Sequence, residues 1–274
     1  MELTLIRHLW GVESDWEAAF PTFQQAGYTG IENGLPAAAD ADRFRALLRE
    51  FGFAYIPMIF TQGRTVDENV ASFTQQVEAC AAFKPLFITA HSGRDAWSDE
   101  ESIQFFEQAL TVEEQAGIAV AHETHRGRVL YNPWVTSRLL RQFPTLKLCC
   151  DLSHWVCVCE RLLETETDII QQAAQQCLHI HARVGYEEGP QVSDPRAAEY
   201  RTHLETHEQW WRMMWQAQQS QGMAVTTLTP EFGPPPYLHT LPVTQTPVSD
   251  LSAICDWMAA REAAQFEQWR SAGL

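Results

Sequence analysis

Four side chains able to bind a divalent cation stand at regular stations in the second half of the sequence. They are Glu123 in AHETHRGR, Asp151 in CCDLSHW, His181 in CLHIHARV and Glu231 in TLTPEFG. Each follows a short apolar run of the kind that forms strands. Three carboxylates brought together with no arginine between them repel one another and raise each other's pKa values, a cost that a bound divalent cation removes. Three oxygens and one imidazole suit one Mn²⁺, Mg²⁺, Co²⁺ or Zn²⁺ ion, and the residue types do not choose among these. Taken singly, each residue has an ordinary reading as a hydrogen-bonded polar strand end. The inference rests on the fourfold pattern.

The elements that must position these residues recur along the whole chain. Strand-like runs cover residues 3–8, 28–33, 53–60, 85–92, 118–125, 146–154, 177–184 and 224–232. Between them lie amphipathic stretches such as ADRFRALLREFG and DEESIQFFEQALTVEEQAG, several closed by a glycine just before the next run, as a helix feeding a strand should be. Nearly continuous apolar strands alternating with helices predict an α/β fold, a single-domain (β/α)8 TIM barrel over residues 1–274. The competing open doubly wound sheet calls for a GxGxxG turn at its first βα junction, which RHLWGVESD lacks. Alternate residues of a strand share a face, so His179 and His181 point the same way, with His181 at the mouth and His179 one layer deeper as a core histidine. The long connections 185–196 and 233–248 follow strands seven and eight, on the face where barrels carry their active sites. The first of them, GYEEGPQV, is expected to cover whatever binds there.

Composition narrows the function. The chain has 274 residues, 45% of them hydrophobic and 20% charged, with a formal net charge of −16. That charge works against a phosphate-backbone partner, so no nucleic acid is expected. No apolar run approaches the roughly 20 residues of a membrane span, and the N-terminus does not read as a secretory signal, so a cytoplasmic protein without a membrane partner is expected. Seven cysteines without a paired CxxC arrangement read as reduced, mostly buried thiols.

On Glu123, the D-x-x-H of Asp151 and His154, the second histidine of HIH (His181) and Glu231, the chain resembles the xylose-isomerase-like barrels. These form a sugar isomerase and epimerase group that also includes ketose 3-epimerases and endonuclease IV-like enzymes. The resemblance covers the whole length. It implies one metal ion held by Glu123, Asp151, His181 and Glu231, with the two glutamates as acid and base and His154 as a substrate contact. The sequence departs from the epimerase pattern after His181, where Arg183 follows at once and an acidic stretch replaces a later arginine. The ETHRGR turn, with His125, Arg126 and Arg128, finds no counterpart in it either.

The chemistry that follows is proton transfer through an enediolate on a ketose or related hydroxy-carbonyl compound. Glu123 and Glu231 would sit on opposite faces of a small sugar-like substrate, one taking a carbon-bound proton and the other returning it. Arg183 would join His154 in orienting hydroxyls, its structural alternative being a salt bridge to Glu187 or Glu188. Glu32 and His91 end strands two and four and read either as substrate contacts or as rim residues. Acidic, proline-rich loops after strands seven and eight favour an unphosphorylated compound. Rival readings are an endonuclease IV-like hydrolase, a dehydratase starting from the same enediolate, and a barrel that binds a small polyol without turning it over. The residues leave self-association open, a homo-oligomer included.

Overall fold

Successive parallel strands need a crossover, and a helix that packs its apolar stripe back onto the sheet supplies it. The computed structural model describes residues 1–273. Its strands are β1 (Glu2–His8), β2 (Gly30–Asn33), β3 (Ala54–Phe60), β4 (Ile88–His91), β5 (Val120–Glu123), β6 (Lys147–Cys150), β7 (Cys177–His181) and β8 (Val225–Thr229). All pair in parallel in chain order, and β8 closes on β1 with Glu2 opposite Val225 and Leu5 opposite Leu228. The fold is the (β/α)8 barrel expected from the alternation of runs.

The helices are α1 (Trp16–Gln25), α2 (Ala41–Phe51), α3 (Val66–Ala81), α4 (Asp99–Ala116), α5 (Pro133–Gln142), α6 (Ser153–Cys159), α7 (Thr167–Gln175), α8 (Arg201–Ser220) and α9 (Leu251–Ser271). Local chemistry sets their ends. Thr65 and Ser98 open α3 and α4 with reciprocal capping boxes to Glu68 and Glu101. Gly52 and Gly117 close α2 and α4 in the left-handed region, where a residue with a Cβ is strained by roughly 1 kcal/mol. β6 is followed by two helices rather than one, because Glu160 turns the chain left-handed after α6.

Except for β1, the strands are shorter than the apolar runs that announced them. The ladder stops where a strand reaches the barrel rim and has no neighbour to pair with. Asp151, Arg183 and Glu231 therefore lie one or two residues beyond β6, β7 and β8, on the first turns of loops. Inside the barrel, Ile6, Ile56, Phe87, Ala121 and Cys149 form a small apolar floor. Gly30 makes room for it, since a Cβ there would stand 2.4 Å from Ile6 Cδ1. The larger core lies between barrel and helices. All seven cysteines are free thiols, five of them buried. Among the described residues no helix is long and apolar enough to cross a membrane.

Candidate active site

Above the apolar floor the inward positions turn polar. Glu32 on β2 is fully buried, and its carboxylate accepts from Thr89 Oγ1 (2.7 Å) and Thr229 Oγ1 (2.6 Å). His181 Nε2 lies 3.0 and 3.1 Å from its two oxygens, and His179 Nε2 lies 3.3 Å from one of them. Burial works against the charge of Glu32, but His181 and His179 outweigh it and hold the carboxyl well below its usual range. His179 also meets Thr227 (2.7 Å) and Thr229 (2.9 Å), so its polar atoms are satisfied within the barrel. Glu32 thus orients His181 through Nε2 and leaves Nδ1 of that ring toward Glu123 and Glu231, the arrangement by which carboxylates position metal-binding histidines.

Around that Nδ1 the structure assembles the four residues picked out by their stations in the sequence. One ligand atom from each of Glu123, Asp151, His181 and Glu231 can be chosen so that all lie within 4.8 Å of one another. His181 Nδ1 is 3.2 Å from Glu231 Oε2 and 3.9 Å from Glu123 Oε1. Both oxygens of Glu123, Nδ1 of His181 and Oε2 of Glu231 are buried without a well-aligned hydrogen bond among the described residues, although His91 and Arg183 stand within ion-pair distance of Glu123 and Glu231. Such atoms each cost about 1–3 kcal/mol when left unmatched, and a divalent cation would satisfy them together. The donor set therefore fits a metal ion. His91, Glu123 and His125 form a second group of the same dimensions, sharing Glu123 with the first.

Arg183 alters the electrostatics assumed from sequence. Its guanidinium contacts Asp151 Oδ2, approaches Glu231 Oε2 at 3.2 Å and donates to His154 Nε2 at 2.7 Å. The three carboxylates do have an arginine among them. Arg183 is paired, but to these two acids rather than to Glu187 or Glu188; Glu187 meets His203 instead, at 2.9 Å. The other oxygen of Asp151 accepts from Ser153 N at 3.1 Å and from Ser153 Oγ. Burial pushes the Asp151 carboxyl up to about 7 against the pull of Arg183. Burial, with His125 and Arg183 nearby, holds His154 well below its usual value, so it is the neutral acceptor of the Arg183 N–H.

The cluster opens into a cavity of about 560 Å³, within the range of small-molecule sites. Glu32, His91, Arg183 and Glu231 line it, whereas Glu123, Asp151, His154 and His181 lie behind those residues as its fully buried base. His91 Nε2 is 2.7 Å from Glu123 Oε2, and its ring packs between Phe60 and His125 at centroid distances of 4.3 and 4.5 Å. The GYEEGPQV loop does not line the cavity. It folds on itself through the Tyr186–Gly189 bridge, and the wall comes from the β8 loop through Tyr237, which lies over Arg183. Gln191 ties the two loops together, accepting from Gly233 N at 2.7 Å and donating to Gly233 O at 3.1 Å. Trp10, in the connection after β1, also lines the cavity, packed on Gly233, where a Cβ would stand 2.2 Å from its ring.

Sequence reasoning passed over His8 and Tyr237 and left His125 and Arg128 without a role, although all four line the cavity. His8 was accessible to the strand-end rule, being the last residue of β1. Tyr237 carried no signal, since it sits in a proline-rich loop without periodicity.

Fold and site together define a parallel eight-stranded barrel whose mouth carries a donor set that fits a metal ion. A family model described as xylose isomerase-like TIM barrel matches residues 20–210, and the chain belongs to that family. Comparison with curated proteins gives no match. Among solved structures, the chain is similar to 3-keto-D-glucoside 4-epimerase from E. coli at 9% identity and a TM-score of 0.63, covering 95% of this chain and 98% of that one. A xylose isomerase-like TIM barrel protein from Mycobacterium smegmatis in complex with magnesium aligns at 11% identity and a TM-score of 0.63, covering 94% of each chain. The probable 3-DHS dehydratase from Bacillus anthracis aligns at 14% and 0.58, covering 94% and 97%. At these identities the likeness is one of fold.

Proposed function

We propose that the protein is a divalent-metal-dependent isomerase or epimerase that moves a carbon-bound proton on a ketose or related hydroxy-carbonyl compound. The observation that carries this reading is the convergence of buried donor atoms of Glu123, Asp151, His181 and Glu231 within 4.8 Å of one another at the base of a small-molecule cavity, those of Glu123, His181 and Glu231 lacking well-aligned hydrogen bonds. Glu123, Asp151, His181 and Glu231 would hold the metal, with Glu32 fixing the His181 ring. A bound divalent ion supplies Lewis acidity toward a carbonyl and its neighbouring hydroxyl. Glu231 reaches the cavity and is the group placed to take or return a proton, while Glu123 lies behind His91. Arg183 presents a fixed positive charge where oxyanion character develops. Epimerase, dehydratase and magnesium-bound neighbours of the same fold are consistent with this chemistry, and the small-molecule size of the cavity and the net charge of −16 favour a small molecule over duplex DNA.

Elemental analysis of protein purified without chelator tests the reading, beside Glu231→Gln and His181→Ala. About one divalent ion per chain, lost in both variants while the barrel persists by circular dichroism, is the expected result. Metal-free protein even after reconstitution would sink it. With metal present, deuterium uptake from heavy water into candidate ketoses separates turnover from mere binding, and product identity separates epimerisation from dehydration.

A further inference from the structure

The ETHRGR turn is the one polar motif of the mouth that the proposed chemistry leaves unused. Its last arginine is built into place. Arg128 NH1 donates to the carbonyls of Thr61 (3.1 Å) and Gly93 (3.3 Å), just beyond β3 and β4. The backbone around it is pinned as well: Arg128 N–H donates to His125 O (3.2 Å) and Val129 N–H to Ser92 O (3.0 Å). Gly93, at φ +60°, donates to Thr61 Oγ1 at 2.8 Å, and a Cβ there would press on Trp97 and Val129 at 2.4 and 2.6 Å. The two carbonyls that fix this guanidinium are thus themselves fixed.

Arg128 lines the cavity, and no carboxylate oxygen lies within ion-pair distance of it among the described residues. Glu123 and Asp95 are the acids whose charge it feels most, and neither touches it. In a chain of net charge −16 whose other cavity guanidinium, Arg183, is committed to Asp151 and Glu231, such a cation lacks a counter-charge. With NH1 held by two carbonyls, Nε–H and NH2 remain as a planar two-donor fork, the geometry that matches a carboxylate. The closed strand order sets β3 and β4 across the mouth from β7 and β8, which bring His181 and Glu231. The cavity is walled by Trp10, Met58, Phe60 and Tyr237.

We propose that Arg128 is a carboxylate-binding residue, so that the compound handled is a small hydroxy-carbonyl acid with its acid group at β3–β4 and its reacting carbons at β7–β8. The assignment of the reacting end rests on the isomerase reading; the acid subsite does not need a metal.

Cyclohexanecarboxylate and its neutral counterpart cyclohexanecarboxamide, neither an α-hydroxy chelator, are titrated into the full chain and followed by ligand-observed NMR, with inorganic phosphate as competitor. The acid is expected to bind about tenfold or more tighter than the amide, the range of a charge-assisted pair. Arg128→Gln should abolish that preference, and Arg128→Lys, which keeps charge but loses the fork, should retain only part of it. Thermal denaturation of each variant checks its fold. Equal binding of acid and amide, binding of neither, a preference that survives Arg128→Gln, or displacement of the acid by phosphate at lower concentration than the acid itself would overturn the proposal. Metal content of the same preparations reads the other hypothesis separately: protein that stays metal-free even after reconstitution yet still selects the acid refutes the metal centre and leaves the acid subsite standing.

Discussion

Arg183 brings a positive charge into contact with Asp151 and within 3.2 Å of Glu231, and is itself 1% exposed. A cation bound by those same carboxylates must share them with it. Removing one partner of a buried ion pair typically destabilises by about 3–5 kcal/mol, because the other charge is left uncompensated. Arg183→Met should therefore melt well below the native protein when stripped of metal, and excess Mn²⁺ should recover more stability in the variant than in the native chain, since the ion then supplies the missing charge alone. Calorimetry with and without Mn²⁺ measures this. An equal loss in both conditions would mean that Arg183 and the metal do not compete. The four candidate ligands were legible from sequence because each ends an apolar run. The place of Arg183 among them was not: whether it faces Asp151 or the nearby Glu187 depends on how β6 and β7 are staggered, and their pairing shifts between Leu148 and Cys149. Spacing along the chain does not encode that shift.

Among the elements, α8 does more than fill the outer ring. His207 on this helix is fully buried; its Nδ1–H donates to His203 O at 2.8 Å, and its Nε2 accepts from Gly185 N–H at 3.3 Å. The helix thereby holds the root of the β7 loop. Gly185 has no alternative there, since a Cβ would stand 2.6 Å from the carbonyl oxygen of Ser153. Burial lowers His207 to about 4, and the unfolded chain takes up the same proton near 6.5. The unfolded state binds it first, so stability is full above about 6.5 and is lost as pH falls toward 4, by an amount on the order of 3 kcal/mol. Urea unfolding at pH 7 and pH 5 should show a smaller loss for His207→Gln than for the native protein, and parallel losses would disprove the latch. The helices were legible where periodicity and caps agreed, as in α2 to α4. The break between α6 and α7 was not, because it depends on Glu160 adopting a conformation unusual for its residue type.

For the molecule as a whole, alternation and strand count were sufficient to give the barrel, since eight parallel strands with helical crossovers close in few ways. The shape of the mouth was not legible, because the loops that build it carry no period and meet only in three dimensions. Gln191 and Gly233 are one point where they meet, bonded in both directions between the β7 and β8 connections, with Trp10 from the β1 connection seated on Gly233. Three separate insertions thus behave as one interchangeable part. Recombination with a relative that replaces the β8 connection alone should give an unstable or inactive chimaera, whereas exchanging the β1, β7 and β8 connections as a set should carry the donor's substrate preference with it. The unit that such an exchange must carry at this candidate site is the trio, not the loop.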